Sequence, residues 1–148
     1  MIVPVELTEE CSLFLSNIDQ AVAYVVDSVY FYTPNGEDKN AAAADVGRLK
    51  EAFGKVLVPY HFMAGRMKLN LEKERLEIEC NRAGALFAAA NCDLTLSDLG
   101  DVTFPNPVFR RLVLQGVHAR KFGANPPLLM MQVIKFICSL DKSKYSIG

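Results

Sequence analysis

Two histidines, four cysteines and a few paired carboxylates carry whatever chemistry this 148-residue chain can do. His61 follows Pro59-Tyr60, and His118 lies in the charged stretch Gln115–Lys121, which reads as an exposed connection. Nucleophilic catalysis needs a Ser or Cys held beside a base, and neither histidine has such a neighbour in sequence. The expectation is a half-buried His61 bonded to backbone and a solvated His118. Cys11, Cys80, Cys92 and Cys138 all stand more than four residues apart. That spacing contains no zinc-ligand pair, so no metal site and no bound cofactor is expected. The cysteines read as small hydrophobes of a reducing compartment. Glu9-Glu10, Glu37-Asp38 and Glu77/Glu79 lack the apolar frame that raises a carboxyl pKa for acid–base work. No glycine pattern that would cradle a phosphate follows a strand. Tyr24, Tyr30, Phe31 and Tyr32 fit a core better than a pocket.

The elements that must position these groups follow from periodicity. Val46, Leu49, Phe53, Val56 and Leu57 recur every three or four residues, which predicts a helix over Val46–Leu57. Glu51 and Lys55 form an i,i+4 pair on its far side, and Pro59 ends it. Asn35-Gly36 signals a turn before it, and the alanine run Ala41–Ala44 leads into it. Ala21–Tyr32 is rich in Val and Tyr and predicts a strand covered on both faces. Arg66–Leu71 and Arg75–Cys80 alternate around Glu72-Lys73-Glu74 and predict a β-hairpin, with Leu76, Ile78 and Cys80 inward and Glu77 and Glu79 in water. Gly84–Ala90 and Leu128–Cys138 are further strands. Leu94–Leu99 holds a helical turn with Thr95 or Ser97 as cap. Asp101–Pro107 is a loop, and Tyr145–Gly148 reads as the start of another strand. Mixed strands and helices place the chain in the α/β class.

Composition narrows the partners. Apolar residues make up 51% and charged residues 22%, with a net charge of −1, an ordinary globular balance. No basic stripe points to nucleic acid. The acidic N-terminus lacks a secretory pattern. The most apolar stretch, Pro126–Cys138, is broken by Gln132 and Lys135 and is too short to span a bilayer. A soluble cytoplasmic protein is expected. From the residues alone the reading stops at a soluble α/β domain.

The string of short motifs says more. Leu15-Ser16-Asn17-Ile18-Asp19-Gln20 resembles the opening signature of plant BAHD acyltransferases. Val29-Tyr30-Phe31-Tyr32 resembles the family's following strand. The helix Val46–Leu57 and the run Val58–Met67 with Ala64-Gly65-Arg66 resemble its helix and turn. Ile78–Asn81, Gly84–Phe87, Asp98-Leu99-Gly100 and Gln132-Val133 with Phe136 and Cys138 follow in the family's order and spacing. Glu9-Glu10 and Ala90-Asn91-Cys92 look closest to members that transfer hydroxycinnamoyl groups to long-chain hydroxy acids, fatty alcohols or shikimate. Two departures stand out: Phe62 where the family has proline, and Ser139–Tyr145 where it has a glycine pair.

The resemblance implies an α/β fold, part of a chloramphenicol-acetyltransferase-like domain with a mixed β-sheet and flanking helices. Residues 1–148 would be its N-terminal part, ending before the His-x-x-x-Asp-Gly motif that supplies the general base. The motif Asp-Phe-Gly-Trp-Gly is also absent, and the chain has no Trp. The implied activity is acyl-CoA-dependent O-acyl transfer, with acyl-CoA as co-substrate, an alcohol or amine as acceptor and a monomeric full-length protein. The isolated fragment would be inactive. The alternative is a non-catalytic truncated paralogue that binds acyl-CoA weakly or associates with a full-length relative. In hydroxycinnamoyl-using relatives the positions of Ser28 and Tyr30 line the acyl pocket, so these two are the candidate substrate-binding residues. No catalytic residue carries over. Asp19 and Arg66 read as capping or ion-pairing residues. A sheet edge left unpaired would make the fragment associate or precipitate.

Overall fold

The computed structural model describes residues 1–32, 46–114 and 125–137. Asn35-Gly36, Glu37-Asp38, Ala41–Ala44, His118, Cys138, Ser139–Tyr145 and Tyr145–Gly148 lie outside them.

Apolar side chains from a helix, the turn that follows it and two strands with their flanks make the first core. Helix α2 (Val46–Val56) follows α1 (Asn17–Ala21) in the chain and buries Phe53, with Leu57 fully enclosed just past its end. Phe53 meets Phe87 at 6.0 Å between ring centroids, and Ala64, Ala85, Leu129 and Met131 close the cluster. The predicted Glu51–Lys55 pair forms at 2.6 Å on the exposed side. The N-terminal segment runs across the other flank of α2, with Val5 N–H donating to Gly54 O at 3.2 Å. A Cβ on Gly54 would approach Val5 Cγ1 to 2.9 Å, so a larger residue there would push the Val5 side chain aside.

Strands β4 (Leu86–Cys92) and β5 (Met130–Phe136) pair in parallel, from Leu86 opposite Met130 to Cys92 opposite Phe136. Parallel pairing requires a long crossover, and residues 93–129 supply it. Within that crossover Leu96–Leu99 forms a 3-10 turn, with the Thr95 N–H and hydroxyl both donating to Asp98 Oδ2 at 2.7 Å. A second 3-10 turn, Pro107–Leu112, starts on a proline and is capped by Asn106, whose Oδ1 accepts from Val108 N–H at 3.0 Å. The Asp101–Pro107 loop therefore ends in a helical turn that two standard start signals announce.

The second sheet is antiparallel, in the order β1 (Ser12–Phe14), β3 (Arg75–Glu79), β2 (Arg66–Asn70). β2 and β3 are the predicted hairpin. Its tip is set by Asn70, whose Oδ1 accepts from the N–H groups of Glu72 and Lys73 at 3.1 Å. Leu15, Ile78 and Cys80 form the core beneath it. Antiparallel and parallel pairing thus occupy two small sheets, and the class is mixed α/β.

Two expectations change. Glu77, expected to face water, is 7% exposed. Ser12 Oγ, Asn70 Nδ2 and Lys73 Nζ donate to its carboxylate at 2.7, 3.1 and 2.9 Å. Pairing β1 beside β3 turned a hairpin face into a covered one. The strand over Ala21–Tyr32 is not formed. Ala21 closes α1, and the rest is irregular and mostly exposed, with Tyr24 at 68% and Val26 at 72%. A Val/Tyr-rich run becomes a strand only when a neighbour takes up its backbone N–H and C=O groups. Among the described residues no strand lies beside Val25–Tyr32.

Candidate functional site

The opening signature builds a local structure in which each residue has a task. Ser16 caps α1 by accepting from Asp19 N–H at 3.2 Å, and Asp19 Oδ2 accepts from Ser16 N–H at 2.8 Å. This reciprocal box satisfies two donors that the helix start leaves orphaned, and the Ser16 hydroxyl and then the Ser16 backbone N–H hold the Asp19 carboxyl below its ordinary pKa. Leu15 enters the second core. Gln20 Oε1 accepts from Leu76 N–H at 3.2 Å, pinning α1 to β3. Arg75 donates to Leu15 O and lies over the Phe14 ring at 4.0 Å. Asp19 is thus a cap.

Arg66 is 7% exposed and donates only to backbone carbonyls: Gly65 O at 2.7 Å, Gly84 O at 2.8 Å and Ala83 O at 3.2 Å. It ties the strand β2 start to the turn before β4. The expected ion pair is replaced by carbonyl contacts, and desolvation lowers its pKa. Gly65 beside it is obligatory, since a Cβ would lie 2.4 Å from Glu79 O. Gly84 adopts φ +92° with Ile2 O close by, which also selects glycine.

Glu77 has its pKa pulled down to about 2, first by Lys73, then by Ser12 and Asn70. A carboxyl so held stays ionised and is no proton donor near neutrality. Glu79 is also lowered, chiefly by Lys68 at 2.8 Å. Arg66, Glu77 and Cys80 are all buried, Cys80 fully so.

An open groove of about 620 Å³ runs over β2, β3 and the segment before β1. Glu10, Glu72, Glu77 and Glu79 line it, against Lys68 alone among basic residues. That balance repels an anionic thioester. The candidate substrate residues lie elsewhere. Ser28 and Tyr30 sit in the irregular run after α1, both exposed, with Tyr30 at 75%. Within that run the Phe31 ring meets Phe109 edge-on at 5.1 Å. The fold does not bring Ser28 or Tyr30 to the groove.

One cluster escaped sequence reasoning. Cys11, His61 and Cys80 place their Sγ and imidazole nitrogen atoms within 4.8 Å of one another. Cys11 faces Cys80 across the β1–β3 pairing, and Cys80 N–H donates to Cys11 O at 2.8 Å. His61 comes from the 3-10 turn His61–Ala64. Burial pushes the Cys80 thiol up to about 11, aided by Cys11 and by the charge of Glu9. A thiol so held is not a nucleophile near neutrality. Ligand spacing along the chain reveals only neighbours in sequence. Here 69 positions separate Cys11 from Cys80, and only strand pairing joins them.

Residues 1–139 match the Transferase family. The chain belongs to that family, the plant BAHD acyltransferases. It is 37% identical over 133 residues to "Acyltransferase GLAUCE" of Arabidopsis thaliana, covering 90% of this chain and 29% of the relative. It is 37% identical over 147 residues to "Anthranilate N-benzoyltransferase protein 1" of Dianthus caryophyllus, covering 93% and 32%. With "Omega-hydroxypalmitate O-feruloyl transferase" of Arabidopsis thaliana it shares 33% over 139 residues, covering 93% and 29%. The chain therefore spans between 29% and 32% of the length of these relatives. No helix among the described residues is long and apolar enough to cross a membrane.

Proposed function

We propose that the full-length protein carrying this chain transfers an aromatic acyl group, a hydroxycinnamoyl group first of all, from coenzyme A to an alcohol. The observation that supports this reading is chemical agreement among the relatives' names. Benzoyl and feruloyl groups are both aromatic acyls, while anthranilate and omega-hydroxypalmitate share little. The donor is the constant and the acceptor the variable.

In the reaction a histidine base takes the acceptor's hydroxyl proton, and the oxygen attacks the thioester carbonyl. The C–S bond breaks, and coenzyme A leaves as the thiol. Neither His61 nor His118 stands in a His-x-x-x-Asp-Gly motif, so the base is supplied outside residues 1–148. Within them, Ser28 and Tyr30 contact the acyl group, their hydroxyls bonding the phenol of the donor. Both are exposed here.

The test is transfer by the purified full-length protein from a panel of acyl-CoA donors. Ester product from hydroxycinnamoyl-CoA, with none from the 148-residue chain alone, is expected. Ser28→Ala and Tyr30→Phe each raise KM for the hydroxycinnamoyl donor about 2- to 10-fold, the loss of one hydrogen bond, and leave the acceptor KM unchanged. Turnover by the 148-residue chain, or no transfer from any aromatic acyl-CoA, would sink the proposal.

A further inference from the structure

We propose that Cys11, His61 and Cys80 form a zinc-binding site. Three side chains that ligate soft or borderline metals converge within 4.8 Å from three separate segments: the stretch before β1, the 3-10 turn after α2, and the end of β3. Two thiolates and one imidazole are a recognised zinc donor set, with a fourth position left for water. Around tetrahedral zinc such ligand atoms lie about 3.5–3.8 Å apart, from Zn–S and Zn–N lengths of about 2.3 and 2.1 Å. Side-chain adjustments of about 1 Å therefore close the site, and the backbone positions of Cys11 and Cys80 are already fixed by their cross-strand bond.

Access and charge fit a cation. The open groove reaches both Cys11 and Cys80. Lys68 and Lys73 neutralise Glu79 and Glu77, while Glu10 and Glu72 remain on its wall and Glu9 lies near enough to act on Cys80. His61 is not part of that wall and completes the cluster from the 3-10 turn. The imidazole is what separates a metal site from a thiol pair: directly opposed cysteines can close as a disulfide, but a disulfide has no use for a third donor. Bound zinc would clamp the N-terminal segment to the hairpin and to the turn ahead of Gly65-Arg66, independently of any acyl transfer.

The experiment uses the 148-residue chain, fully reduced, titrated with zinc against a chromophoric chelator, and with cobalt as a spectroscopic probe. One equivalent of zinc is expected, with a thiolate-to-cobalt charge-transfer band and the visible bands of a tetrahedral site. Cys80 is buried and its replacement endangers the fold, so the informative variants are the half-buried Cys11→Ser and His61→Gln. Each should weaken zinc binding by at least about 10-fold, the scale of disturbing a zinc ligand's surroundings, and abolish the zinc-induced rise in melting temperature. Cys92→Ser should change neither. The proposal is overturned if the reduced protein takes up no zinc, if Cys11→Ser and His61→Gln bind it as the parent does, or if the protein is isolated as a Cys11–Cys80 disulfide and binds no zinc after reduction.

Discussion

The capped turn Leu15–Gln20 and the run Val22–Tyr32 are neighbours in sequence, and both carry the family's motifs, but only the first is tied down. In the capped turn and its hairpin, Ser16 and Asp19 bond each other, Gln20 holds Leu76, and Arg75 holds Leu15. In the following run, Tyr24, Val25, Val26, Tyr30 and Tyr32 are all more than half exposed, and the one ring contact among the described residues is Phe31 with Phe109. The difference is one of range. A cap closes on residues three positions away, and a tight hairpin closes on itself. A strand inside a sheet is completed by a segment distant in sequence, and here no described residue supplies it.

The largest blow to this division should come from Arg66. Arg66→Met keeps most of the stem and strands the carbonyls of Gly65, Ala83 and Gly84. A loss of about 2–4 kcal/mol in denaturant unfolding is expected, since charge-assisted bonds and buried orphan acceptors both enter. A change below about 0.5 kcal/mol, typical of a surface site, would mean that Arg66 is not the tie described. Ser16→Ala should cost about 1 kcal/mol through the lost cap. In an Asp19→Ala background that cost should shrink, because the two side chains act as one box, and a double-mutant cycle measures the coupling.

Glu77 gives a smaller, pH-dependent effect. Its carboxyl titrates near 4.5 when unfolded and at about 2 in the fold. A depressed carboxyl contributes stability that is complete above the unfolded value and is lost as pH falls through the folded one. Stability should therefore decline between pH about 4.5 and about 2, and Glu77→Gln should flatten part of that decline. Glu79 and Asp19, also lowered, keep the remainder. Denaturation midpoints across that interval check it. An unchanged acid limb in Glu77→Gln would show that the carboxyl is solvated.

Much of the scaffold was legible because its causes are local. The helix follows from the three-and-four spacing that buries Phe53 and Leu57, the hairpin from its alternation around Glu72-Lys73-Glu74, and the Leu96–Leu99 turn from Thr95. Asp19 was readable as a cap for the same reason. What escaped depends on pairing between distant segments. Glu77 alternates like a solvated residue until β1 covers it with Ser12. Arg66 looks like half an ion pair until the chain returns at Ala83-Gly84. Cys11, His61 and Cys80 share no spacing rule and meet only through the β1–β3 register and the turn after α2. Ala21–Tyr32 fails in the opposite direction: its composition suits a strand, and composition cannot say who pairs with it.

Residue-resolved hydrogen exchange on the 148-residue chain tests the contrast between the two regions most directly. The N–H groups of Leu76, Cys80, Gly84 and Ala85 are bonded to Gln20, Cys11, Ala64 and Ile2, and slow exchange is predicted for them. Val25–Tyr32 should exchange near the rate of an unstructured peptide. Protection across Val25–Tyr32 equal to that of the hairpin would contradict the account.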